Sequence, residues 1–340
     1  MNTLIRILAG STLLLGLTGA THAQSYQVAK TTALGGDGGW DYVAFDSVGH
    51  RLFIARQNRV MVVDPEGGRL LGEIPGLARA HGVAFAYETG HGFATSGTDS
   101  AVTMFDLNTL KVLGHTTAAV DADAVLYDPS SKRVFTFNGD AHSSSVIDPG
   151  SGARVGSIDL GAGPEFGVSA GDGKLYVNLE DKSEVAEIDA AGMRVTRRWS
   201  LAPCEGPTGL AIDRAHHRLF SGCGNKVMAI SDAIAGKLIT TLPIGAYVDA
   251  AAFDPGTQLA FASNGDGTLT VIHEDAPDKF RVVANVPTRR GARTMALDPL
   301  THRVYLVTAD FGPMPAATAQ HPRPRPAIIP GTFALLVCEP

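Results

Sequence analysis

The chain has 340 residues, 44% of them apolar and 18% charged, with a net charge of −6 and a pI of about 6.0. The apolar fraction is enough for a sizeable core, and 39 glycines fit a fold with many tight turns. A basic footprint is missing, so nucleic acid is not expected as a partner.

The first segment reads as targeting signal rather than fold. Arg6 precedes the apolar run Ile7–Leu17, and Thr21–Ala23 places small residues before a cut at Gln24. That is the pattern of a secretory signal peptide over 1–23, with a periplasmic or secreted mature protein at 24–340. No other apolar run nears the ~18 residues of a membrane span.

A single sentence is then written seven times. Its copies begin at Asp41 ("DYVAFDSVGHRLFIA"), His81, Asp123, Glu165, Thr208 ("TGLAIDRAHHRLFSG"), Asp249 and Arg293 ("RTMALDPLTHRVYLV"), with spacings of 40, 42, 42, 43, 41 and 44 residues. Each copy holds a strand, a polar turn and a second strand. Third and fourth strands follow, as in "VTMFDLNTL" and "KVLGHTT". Four short strands per ~42 residues predict an all-β, seven-bladed β-propeller of four-stranded antiparallel blades. A solenoid of β-coils is the competing architecture. The seventh copy stops at Pro340 without a fourth strand, while Tyr26–Leu34 has no blade of its own. This N-terminal strand is expected to complete the last blade and close the ring, removing a free edge.

The segments "GVAFAYETGHGFATSGTDSAVTMFDLNT" and "DPSSKRVFTFNGDAHSSSVIDPGSG" resemble the repeats of the bacterial secreted YVTN-repeat β-propeller family. The resemblance spans essentially the whole mature chain. It implies the propeller fold and a binding or interaction role, and it brings no shared catalytic motif.

In a propeller the first residue of each copy lies at one mouth of the central channel, here called the top. The expected ring is Asp41, His81, Asp123, Glu165, Thr208, Asp249 and Arg293, with Trp40 beside it. Four carboxylates at that spacing conflict: two charges ~8 Å apart at an effective dielectric of ~20 repel by about 2 kcal/mol. They are expected to take up protons or hold a divalent cation, Ca²⁺ or Mg²⁺, through Asp41, Asp123, Glu165 and Asp249. His81 would let a transition metal compete. Gluconolactonase-type propellers are similar in placing metal ligands at these strand starts, but Thr208 stands where they require Asp. The enzymatic alternative is thus a metal-dependent lactonase, hydrolase or lyase with His81 or His142 as acid/base. Against it stands a small-molecule or protein ligand bound by a monomeric propeller without cofactor.

Further along, Cys204 and Cys223 flank the first two strands of the fifth copy, and a disulfide between them is expected in an oxidising compartment. Cys338 is left alone in the final strand. The seventh copy carries an insertion, "FGPMPAATAQHPRPRPAIIP" at 311–330. It is expected to leave from the top face and offer His321, Arg323 and Arg325 to an anionic ligand. No phosphate loop, metalloprotease helix or nucleophile elbow is present.

Overall fold

The computed structural model describes residues 26–318 and 324–340. The 1–23 segment and the loop residues His321 and Arg323 therefore lie outside the described residues. Among the described residues, twenty-eight strands form seven four-stranded sheets, each antiparallel, and one 3₁₀ turn spans Glu180–Lys182.

Burial follows from position within a blade. Second strands such as Arg133–Asn138 and Leu259–Asn264 are sandwiched between neighbouring blades, so nearly every residue is buried. Their sequences accordingly read as continuous apolar and small-polar runs rather than alternating ones. Fourth strands such as Arg154–Asp159 form the rim and are mostly exposed.

Apolar burial is concentrated between blades. Seven clusters occupy the seven junctions among the described residues. Leu52 and Ile54 of the first blade meet Tyr305, Val307 and Leu335 of the seventh, so the closing junction is as apolar as the others. Each fully buried Leu, Ile or Phe adds about 1.5–3 kcal/mol.

Ring closure takes the expected route. Gln27–Ala33 pairs antiparallel with Ala334–Glu339, which pairs with Arg303–Thr308, giving the last blade its fourth strand. Tyr26 adds a hydrogen bond from its hydroxyl to the His302 carbonyl at 2.7 Å.

One irregularity recurs. Where the first strand meets the second, the register slips between Ala80 and Val83, Ala122 and Val125, Pro164 and Gly167, Pro207 and Leu210, and Val248 and Ala250. Such bulges re-aim side chains. The skipped residues include His81, Asp123, Glu165, Thr208 and Asp249.

Candidate functional site

At the top mouth, the bulged residues, and Asp41 and Arg293 just ahead of their strands, turn backbone carbonyls toward the neighbouring blade. Buried side chains of the preceding blade donate to them. Thr95 donates to the Asp123 carbonyl, Asn178 to the Thr208 carbonyl at 2.9 Å, Ser263 to the Arg293 carbonyl at 2.5 Å, and Thr294 to the Asp41 carbonyl at 2.9 Å. All four donors are fully buried. The ring is thus held by a girdle of inter-blade hydrogen bonds, which satisfies groups that would otherwise cost about 1–3 kcal/mol each.

On this girdle two cations interleave with the carboxylates. His81 Nδ1 lies 2.5 Å from Asp41 Oδ2 and 3.1 Å from Asp123 Oδ1. A single Nδ1–H serves the nearer oxygen, and Asp123 Oδ1 gains proximity without a well-formed bond. Arg293 Nε donates to Asp249 Oδ2 at 2.5 Å, and its Nη2 lies 3.8 Å from Asp41 Oδ1. Asp41 therefore sits between an imidazole and a guanidinium.

Protonation follows from that arrangement. Burial opposes a charge on His81, but Asp123 and Asp41 outweigh it and raise its pKa to about 10. Burial, then Asp123 and a carboxyl hydrogen bond with Glu180, raise Glu165 to about 9. Asp249 is lifted to about 6 by burial, against the opposing pull of Arg293. At neutral pH the ring thus holds a proton on Glu165 and a charge on His81. Four carboxylates coexist because Asp41, Asp123 and Asp249 each face a protein cation and Glu165 is neutral.

A residue that sequence reasoning passed over lies at the centre. The Tyr42 hydroxyl titrates well above its ordinary value, because it is buried and faces Asp123, Glu165, Asp249 and Asp41 together. Its ring reaches across the channel from the first blade to the fourth, meeting Phe166 edge-on at 5.2 Å. Tyr42 floors the recess, and beneath it the channel holds an apolar cavity of about 240 Å³ lined by Phe45, Val83, Val125, Phe166 and Met295 among others. Its signal was available: Tyr42 is the one aromatic immediately following a ring position in the three quoted copies.

Other expected site residues are placed elsewhere. Trp40 is buried against Phe333 and Phe311 at 5.4 and 6.1 Å, in the core between the first and last blades. Thr208 spends its hydroxyl on the Val248 carbonyl at 2.9 Å, bracing the ring. His142 is exposed, with φ 50°. The same left-handed position before the third strand is held by Ser100, Ser183, Lys226 and Gly267 in other blades, so it is a turn position.

The insertion is anchored at its base. Phe311 and Ile328 form an antiparallel bridge, and Gly312 donates to the Ala327 carbonyl at 2.8 Å. Arg290 lies over the Phe311 ring at 5.6 Å, which ties this base to the top face. Arg325 is exposed.

Cys204 and Cys223 form a disulfide, and Cys338 is free and buried. No helix of the described residues is long and apolar enough to cross a membrane.

No family model matches the chain, and no curated protein matches it by sequence. Solved structures do. A chain of the mitotic checkpoint complex is 12% identical over 99% of both chains with a TM-score of 0.75. The U3-55K structure is 10% identical over 92% of this chain and 99% of its own, with a TM-score of 0.73. Hydrazine synthase from Kuenenia stuttgartiensis is 17% identical over 86% of this chain and 96% of its own, with a TM-score of 0.69. At these identities the likeness concerns the propeller fold.

Proposed function

We propose that this chain is a monomeric, secreted or periplasmic binding propeller whose top recess takes a small polar ligand rich in hydrogen-bond donors, such as an amine or a polyol. The propeller is commonly an interaction module, which favours binding over catalysis. Export is supported by the signal-like 1–23 segment and the Cys204–Cys223 disulfide.

The observation that carries the reading is the convergence of Asp41, His81, Asp123, Glu165, Asp249 and Arg293 around one tyrosine hydroxyl. Partly exposed acceptors of Asp41, Asp123 and Asp249 outnumber exposed donors, so a donor-rich ligand is the complement. Tyr42 and protonated Glu165 supply the donors that orient it. The base of the 311–330 insertion stands at the same rim, and its exposed Arg325 suits an acidic group on the ligand.

Calorimetric titration with a panel of amines, amino sugars, neutral sugars and organic acids tests this. Binding that is lost in Asp249→Asn and Asp41→Asn supports it. Absence of binding across the panel, or binding indifferent to both substitutions, removes it.

A metal-dependent hydrolase or lactonase is the second reading. It is favoured by Asp41, His81 and Asp123, whose ligand atoms lie within 4.8 Å of one another. Against it, the His81 side chain is only 4% exposed, which leaves a bound ion no open position for water or substrate on that side. Stoichiometric Ca²⁺ or Mg²⁺ with lactone or ester turnover, both lost in Asp123→Ala, would establish it.

A further inference from the structure

At the opposite end of the first strands the repeat is broken twice, and the two breaks meet. Asp46, Asp128, Asp213, Asp254 and Asp298 end their strands and accept backbone N–H groups of the following turn. Three residues on stand Gly49, Ser131, Thr257 and Thr301 in four of these turns. The two threonines donate to their aspartates at 2.7 Å. In the fifth blade the position is His216, with Nδ1 2.6 Å from Asp213 Oδ2.

The second break is in the sixth blade. In three blades the residue after the third-strand aspartate donates its N–H to the residue before the second strand: Leu107 to Gly90, Ala190 to Gly173, Ala233 to His217. All three are buried and apolar. The equivalent donor to Gln258 is Glu274, a carboxylate only 4% exposed. It belongs to an extended hairpin, Thr268–Ala276 with Lys279–Pro287, of nine residues per strand. That extension carries Glu274 to the turn of the neighbouring blade.

Glu274 Oε1 lies 3.1 Å from His216 Nδ1, yet neither of its oxygens has a hydrogen-bond partner. The single Nδ1–H belongs to Asp213, which is nearer. Arg218 lends charge from nearby but no hydrogen bond, because its guanidinium is taken up by the Pro277 and His216 carbonyls, Asp232 and Asp278. A buried carboxylate without a hydrogen bond, where other blades place leucine or alanine, calls for a ligand.

We propose that Asp213, His216 and Glu274 form a divalent transition-metal site at the junction of the fifth and sixth blades. Their ligand atoms lie within 4.8 Å of one another. His216 is 37% exposed at its side chain, so the site opens to solvent and leaves coordination positions for water or a partner's side chain. One imidazole nitrogen with two carboxylate oxygens suits Mn²⁺, Co²⁺ or Zn²⁺ over Ca²⁺ or Mg²⁺. Binding displaces the Nδ1 proton, so affinity rises with pH.

The test is equilibrium dialysis and calorimetry of the untagged full chain with Zn²⁺ and Co²⁺ alone. Wild type takes up one equivalent and Co²⁺ gains visible absorption. Glu274→Ala, which installs the residue of the fourth and fifth blades, loses both, as does His216→Ala. His302→Ala, on a neighbouring turn, keeps both. A thermal melt without metal checks that each variant folds, with Glu274→Gln as the second variant. Retention of the metal in Glu274→Ala and His216→Ala, or no uptake by wild type at micromolar concentration, overturns the proposal.

Discussion

His81 Nδ1 lies 2.5 Å from Asp41 Oδ2, although the two residues belong to different blades. His81 is 3% exposed, so the contact is a buried ion pair that links the second blade to the first. Breaking such a pair from one side leaves an uncompensated charge and costs about 3–5 kcal/mol. His81→Ala is expected to lower the unfolding free energy by about 3 kcal/mol at pH 7, measured by urea denaturation. A loss below ~0.5 kcal/mol would mean the imidazole is neutral in the fold.

The same pair sets a pH dependence. The folded pKa of His81 is raised to about 10, above an unfolded value of about 6.5. Its stabilising contribution is complete below about pH 6.5 and declines as pH rises toward 10. The stability difference between wild type and His81→Gln should shrink steadily over that window. A difference that stays flat from pH 6 to 10 contradicts the assignment.

Glu165 works in the same direction by a different cause. Burial, Asp123 and Glu180 raise it to about 9, so the folded state keeps a proton that the unfolded chain releases near pH 4.5. Stability falls as pH rises between those values. Glu165→Gln keeps the neutral hydrogen-bonding shape and removes the penalty. The variant should gain on wild type progressively from pH 5 to 9 in parallel chemical denaturation curves.

Asn178 braces the ring from beneath. Its amide donates to the Thr208 and Gly209 carbonyls at 2.9 and 3.2 Å, and its oxygen accepts from Ser221 at 2.9 Å. Asn178→Ala strands buried groups of the fifth blade and is expected to cost about 1–3 kcal/mol per orphaned group. Ser100→Ala, on an exposed turn of the second blade, serves as the near-neutral comparison in the same melts.

The closing strand protects an edge. Removing residues 26–33 would expose the Ala334–Glu339 strand, which pairs with Gln27–Ala33 in the native ring. An open apolar edge templates association. The truncated chain is expected to elute as oligomers in size-exclusion chromatography with light scattering. A stable monomer would show that closure is dispensable. Reducing Cys204–Cys223, whose sulfurs close a loop of 19 residues, should cost about 3 kcal/mol without opening the ring.

The architecture was written in the sequence. Blade count, strand order and the placing of Gln27–Ala33 beside the C-terminal strand follow from a repeat, because each blade must bury its faces on similar neighbours. The repeat also marked the seven mouth positions and the Cys204–Cys223 pair. It could not reveal what those positions do to one another. The bulges that turn His81, Asp123 and Glu165 together, the proton on Glu165, Tyr42 reaching across to Phe166, and Glu274 meeting His216 all depend on contacts between blades. Periodicity reports what copies share, and these features arise where one copy departs from the pattern against its neighbour. Charge state is decided by burial and by the nearest opposite charge, quantities that exist only once the ring has closed.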